Sequence, residues 1–334
     1  NDPQSPVELT LQDTACAGMR ADRYVAEHLR LFTRSQLKSR EVGLEINGKE
    51  AKWSHRLSLG DVVRLTWEPE LPTNIVPEPV EIDIIYENED VVVVDKPQGM
   101  VVHPAAGNYS GTLVQGLAYR SLVTGDGELS ADNPRPGIVH RLDKDTSGVM
   151  IAAKTPLARQ FLANQFAKKH TGKVYLAVVK GMVMPRNGHI EEHIVRDPKN
   201  RKRFTTSEEE GKPAVTDYRV LCQWEDYAFL ALRPSTGRTH QLRVHLSSRG
   251  HPVLGDPIYS RRDARFPDAT LMLHAHRLRI LLPRRVPDSA SAEHFHYEGG
   301  EIVQFRSPMP ERFKSFILAQ NAFGTNTRGR SRAR

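Results

Sequence analysis

The chain has 334 residues, enough for two domains with at least one full hydrophobic core. It carries 47 Lys and Arg against 40 Asp and Glu, a formal net charge of +7 that suits a polyanionic partner. No apolar run is long enough for a membrane-spanning helix, and no basic–apolar–small signal pattern opens the chain. Two cysteines, Cys16 and Cys222, lie too far apart for a metal or redox spacing, so reduced thiols and a cytoplasmic location are expected. The first residue is Asn rather than Met, which predicts a processed or trimmed start.

Residues 1–18 are polar, contain Pro3 and Pro6, and are expected to form a flexible N-terminus. A compact module follows over 19–67. Tyr24, Val25, Leu29 and Leu31 have helical spacing, and Thr33 is placed to cap a second helix over Arg34–Lys38. Leu44-Glu45-Ile46 then runs into Asn47-Gly48, a strong hairpin turn, and Gly60-Asp61 precedes a strand over Val62–Trp67. Pro69, Pro72, Pro77 and Pro79 punctuate an extended spacer over 68–80.

Beyond the spacer, Ile82–Tyr86 and Val91–Pro97 read as strands and Thr112–Tyr119 as a helix, with loop over 124–136. His103, in a loop beside Pro104, reads as structural. Ile138-Val139 and Val149–Ala153 are short apolar runs expected to be buried strands, joined by a polar loop from His140 to Gly148. On composition alone that loop would be a solvated turn; rigidly held loops are also where chemistry concentrates. Pro156–Lys169 has helical spacing, and Thr171–Gly181 alternates as a strand. Arg196–Phe204 is a dense basic run, a solvated face or a phosphate contact. Gly211–Tyr218 reads as a turn into an outer strand, and Leu273–Leu278 as a further strand. His274 and His276 have metal-pair spacing, but no Cys, Asp or Glu cluster completes a site, and the pair reads as structural. A closing helix is expected over Glu311–Gln320, followed by a basic disordered tail over 323–334. No nucleotide loop, zinc spacing or internal repeat is present, so no cofactor and no metal is called for.

His140-Arg141-Leu142-Asp143 followed by Thr146-Ser147-Gly148 closely resembles the active-site signature of the RluA-type RNA pseudouridine synthases. Glu81–Pro104 resembles the start of that family's catalytic domain. Lys173-Val174-Tyr175 resembles its second motif, and Gly237-Arg238-Thr239-His240-Gln241-Leu242-Arg243-Val244-His245 its third. The module over 19–67 resembles an S4 RNA-binding domain. The resemblance implies an α+β protein: an N-terminal S4 domain, then a catalytic domain over 81–322 with a mixed, mainly antiparallel central sheet flanked by helices and loops. It implies a catalytic carboxylate at Asp143, an aromatic lining residue at Tyr175, and an arginine pairing with the carboxylate at Arg243. Such an enzyme isomerises specific uridines in structured RNA. The S4 module with this signature looks most like the enzymes acting on large-subunit ribosomal RNA, with transfer RNA the alternative; a monomer with no membrane partner is expected. The alternative is a non-catalytic RNA-binding assembly factor, which would break this triad. Breaking and remaking a glycosidic bond without hydrolysis needs a nucleophile, and a nearby guanidinium keeps a partly buried carboxylate charged. Asp145 and Thr146 read as loop-ordering residues. Expected RNA contacts are Arg34, Lys38 and Arg40 in the first module, Arg201, Lys202 and Arg203 in the basic run, Arg238, and Arg141 beside the nucleophile.

Overall fold

The computed structural model describes all residues except 1–6, 30, 33–36, 38–41, 68–74, 106, 125–136, 201, 289–290 and 331–334. The expected Thr33 cap, most of the helix it would start, and Arg34, Lys38, Arg40 and Arg201 therefore lie outside the described residues. The chain divides into two units, 1–74 and 75–334.

The smaller unit holds four strands, β1 (Val7–Thr10), β2 (Gly43–Ile46), β3 (Lys49–Glu50) and β4 (Val62–Thr66), in the order β1-β4-β2-β3. Asn47 and Gly48 both have positive φ, 51° and 74°, as a two-residue turn matched to strand twist requires. A short helical stretch, Ala21–Arg23 then Tyr24–His28, puts Tyr24 and Val25 against Leu11, Leu44, Leu65 and Trp67. The expectation of a loose N-terminus fails for residues 7–18. Val7 and Leu9 pair with Leu65 and Val63 on β4, and Leu11 and Cys16 are buried. Alternation over four residues is too short a signal to stand out beside two prolines.

The larger unit is built on one sheet of β5 (Asp83–Glu87), β6 (Val91–Lys96), β7 (Ser147–Ala153), β8 (Gly172–Lys180), β9 (Asn187–Arg196), β10 (Phe204–Ser207), β11 (Lys212–Gln223), β12 (Tyr227–Pro234), β13 (Leu273–Asp288) and β14 (Ser291–Arg306). The order is β10-β9-β11-β12-β8-β13-β7-β6-β5, with β14 also on β13. Each described pairing here is antiparallel except β7 with β13, so the α+β reading with a mixed, mainly antiparallel sheet holds. Helices α1 (Leu113–Thr124) and α2 (Pro156–Ala167) cover β6 and β7. Thr155 caps α2 by accepting from the Ala158 N–H, and Pro156 occupies the first turn, where its missing donor costs nothing. Helix α3 (Gln241–Ser248) and the start of α4 (Glu311–Arg330) pack a second core on β8 and β12, through Leu242, Leu246, Phe313 and Phe316.

Four expectations change. Ile138-Val139 is no strand; Ile138 makes a single bridge to Ala152, on the edge of β7 that β13 leaves beyond Gly148 while β6 holds the other edge. Strand β11 is interior, since the β9–β10 hairpin extends the sheet beyond it. Residues 75–80 belong to the larger unit rather than to a spacer. Ile75 is buried against Val114 and Ala118, and the Glu78 carboxylate accepts from the Gly111 N–H and from Gln115 Nε2, each at 2.7 Å. The closing helix continues past Gln320 and through Gly324 to Arg330, so residues 323–330 are helical where a disordered tail was expected.

Candidate active site

Asp143 sits in the loop that leads into the buried strand β7, a loop pinned from below. The chain before it is fixed by His140, whose Nε2 accepts from the Ile151 N–H at 3.1 Å while the ring stacks on Phe166 at 4.5 Å. Burial, and then Lys173, push the His140 pKa down to about 3, so the ring is neutral and a fixed acceptor. The turn itself closes through the Thr146 N–H on the Asp143 carbonyl at 3.1 Å. Below it, the fully buried Lys96 donates to the carbonyls of Pro97, Met100 and Lys144, while Gln98 Nε2 donates to those of Asp145 and Leu271. Burial lowers the Lys96 pKa to about 8. After the turn, Gly148 has φ +122°, and any Cβ there would meet the Ala275 backbone of the parallel neighbour β13. The Gly of the signature is thus required by strand approach.

Arg243 enters from α3. His240 precedes the helix with φ 56° and ψ 15°, a left-handed turn that re-aims the chain. Gln241 locks this corner with all of its amide capacity. Its Oε1 accepts from Thr236 Oγ1 and the Arg238 N–H, and its Nε2 donates to the Val215 carbonyl and Thr216 Oγ1. The Arg243 guanidinium then makes a fork to Asp256, Nε–Oδ2 2.7 Å and Nη2–Oδ1 2.8 Å, leaving Nη1 to donate to Asp143 Oδ2 at 3.2 Å. Burial disfavours the charged guanidinium, but Asp256 and then Asp143 outweigh it and raise its pKa. Burial likewise acts to raise the Asp256 carboxyl, yet Arg243 and the N–H groups of Ile258 and Tyr259 hold it below the usual carboxylate range.

These elements enclose a cleft of about 350 Å³, lined among others by Arg141, Asp143, Phe166, Lys169, Lys173, Tyr175, Arg238, His240 and Arg243. All three expected catalytic residues therefore face one cavity, which is of a size suited to a small ligand group. Burial, then Asp143, push the Tyr175 pKa up, so its phenol is neutral. Arg141 is exposed and Arg238 half-buried, with Arg238 Nε donating to the Pro213 carbonyl at 3.1 Å. Lys202 and Arg203 lie outside the cleft lining, in the β9–β10 connection; the Arg203 guanidinium rests 5.3 Å from the Tyr259 ring centre.

The sequence reading gave no role to Asp256, Tyr259 or His240. Tyr259 links the Phe204 N–H, donating to its hydroxyl, with His240 Nδ1 at 2.9 Å, and its ring centre lies 5.1 Å from the Arg243 guanidinium. His240 Nε2 lies 3.9 Å from Asp143 Oδ2, and the tautomer in which Nδ1 accepts from the Tyr259 hydroxyl carries its proton on Nε2, toward that carboxylate. The His274 ring nitrogens meet Ser147 Oγ and Ser307 Oγ, and His276 Nδ1 meets the Ser307 carbonyl, a structural use for both rings. In the smaller unit Asp13, Cys16 and His28 each bring one donor atom within 4.8 Å of the others, a grouping that spacing in sequence does not reveal.

Residues 90–248 match the RNA pseudouridylate synthase family. The chain is 43% identical to a ribosomal large subunit pseudouridine synthase D of Borreliella burgdorferi, over 93% of this chain and 91% of that one. It is 40% identical to a protein of the same name from Neisseria meningitidis, over 88% and 77%. Among solved structures, human RNA pseudouridylate synthase domain containing 1 is 25% identical with a TM-score of 0.50, covering 73% of this chain and 96% of that one. The chain belongs to the RNA pseudouridine synthase family and is an enzyme of that class.

Proposed function

We propose that this enzyme converts uridines of large-subunit ribosomal RNA to pseudouridine, with Asp143 as nucleophile on a base turned out of its stack. The observation that carries the reading is the cleft itself. It holds one carboxylate, Asp143, kept 3.2 Å from a guanidinium whose other face is neutralised by Asp256, with Tyr175 as the aromatic wall. Attack falls on C6 of the base or C1′ of the ribose. Extruding the base costs a few kcal/mol, and stacking on Tyr175 returns about 1–3 kcal/mol. Arg141, exposed beside Asp143, fills the space the base vacates. The Tyr175 hydroxyl takes the C5 proton; being neutral, it releases its own proton to water as it does so, and N1 of the base takes one up.

The smaller unit acts as an S4-type RNA-binding domain, with Arg34, Lys38 and Arg40 contacting phosphates. Lys202, Arg203 and Arg238 add phosphate contacts around the catalytic unit. The ribosomal assignment is supported by the names of the Borreliella and Neisseria relatives. Its test is a pseudouridine map of ribosomal and transfer RNA from cells with and without the protein. Loss of specific large-subunit sites is expected. Unchanged ribosomal profiles alongside lost transfer RNA sites would move the substrate, and no change in either would refute the reading.

A further inference from the structure

We propose that Lys173 is a further catalytic residue, whose ammonium group donates to a carbonyl oxygen of the uracil in the cleft and stabilises the charge that gathers there. The proposal rests on the Asp143 cleft being the site of uridine isomerisation. Lys173 and Tyr175 are two residues apart on β8, so their side chains leave the same face of the strand, roughly 7 Å apart. Both line the cleft with Asp143. Lys173 Nζ donates to the Thr236 carbonyl of the facing loop at 3.2 Å, which anchors the group and leaves two of its three protons to place.

Its charge balance sets it apart from the other cations around it. Arg243 is matched by Asp256 and Asp143, whereas no ion pair to Lys173 occurs among the described residues. Arg141 and Lys169 are exposed at the rim, where RNA phosphates remain hydrated, and the half-buried Arg238 holds the Pro213 carbonyl through its Nε; Lys173 is half-buried, and burial lowers its pKa with no carboxylate to offset it. A partly dehydrated cation is best satisfied by a group that is itself brought in from water, and the extruded base is that group. An ammonium only donates, so it matches the O2 or O4 of uracil. In the isomerisation the N1–C1′ bond breaks with its electron pair passing to N1, delocalised onto O2 and O4. The C5–C1′ bond then forms, the C5 proton leaves to a base, and N1 takes up a proton from solvent, so the net change is an isomerisation. Lys173 supplies charge throughout and neither gains nor loses a proton.

The test uses the full chain and a structured RNA carrying a target uridine, with wild-type turnover established first. An inactive wild type on ribosomal and transfer RNA would remove the reaction itself, and with it this role. Lys173→Met is expected to slow single-turnover pseudouridine formation by about 10²–10³-fold at saturating RNA, the usual loss for one preorganised donor. RNA affinity and its salt dependence should stay at the wild-type level, and Lys173→Arg should regain at least tenfold in rate. A salt slope reduced by about one unit would make Lys173 a phosphate contact instead. A Lys173→Met rate within threefold of wild type, or an Arg variant no better than Met, would also overturn the role. Thermal unfolding checks the fold, and Lys173→Gln stands in if the Met variant does not fold.

Discussion

Asp256 makes no contact with the cleft, yet the geometry gives it a large share in holding the site. Its carboxylate is fully buried and takes four hydrogen bonds: two from Arg243, and one each from the N–H groups of Ile258 and Tyr259. Asp256→Asn keeps the shape but replaces one acceptor oxygen by an amide donor. With the remaining oxygen on the Ile258 and Tyr259 side, the new NH₂ faces the Arg243 Nε–H, donor against donor. Removing one partner of a buried pair costs about 3–5 kcal/mol, equivalent to a drop of roughly 6–20 °C in the melting temperature of a domain this large. Arg243 then has only Asp143 as a carboxylate partner, so activity should fall with stability. The pH dependence follows from the depressed Asp256 pKa. Its contribution is fully present above the unfolded value, about 3.9, and is lost only as pH falls through the lower folded value. Calorimetry of both proteins should therefore show a gap that is constant from neutrality down to about pH 5 and closes only in stronger acid. A variant melting within 2 °C of wild type at neutral pH would refute this account of the pair.

The two jobs of Tyr175 separate by substitution. Tyr175→Phe should bind RNA normally and stall before C5 tritium is released, while Tyr175→Ala should also lose about 1–3 kcal/mol of base stacking; wild-type tritium release from the Phe variant leaves stacking alone. Gly148→Ala forces a Cβ into the Ala275 backbone at positive φ and should destabilise the larger unit by about 1–3 kcal/mol or more in chemical denaturation. An unchanged midpoint would contradict the close approach of β7 and β13. Neutralising Arg34, Lys38 and Arg40 together should flatten the salt dependence of RNA binding by about two to three units, and an unchanged slope would dismiss the smaller unit as a phosphate reader.

How much was legible in the chain follows from how local each signal is. The His140–Gly148 string, Tyr175 and the Arg238–His245 corner carry their chemistry in short runs of unusual composition, and the fold gathers them around one cleft. Asp256 lies in a Gly-Asp-Pro string indistinguishable from an ordinary turn; its importance arises only when α3 brings Arg243 beside it. Strand β9 hid because its two fully buried apolar residues, Ile190 and Ile194, are four apart, a helical spacing. Strand β14, with Gly299 and Gly300 inside it, lacks the branched run that marked β6 and β7. The interior place of β11 depends on a hairpin two strands away in sequence, which no local pattern encodes.

The central claim is that Asp143 forms the covalent link to the nucleoside. Purified Asp143→Asn, incubated with an RNA that wild type modifies fully, tests it most directly. The amide cannot make the adduct, and Arg243 keeps its fork to Asp256, so the fold should survive. The account predicts wild-type RNA binding, an unchanged melting temperature and no pseudouridine above background. Pseudouridine accumulating well above background in that variant would contradict it.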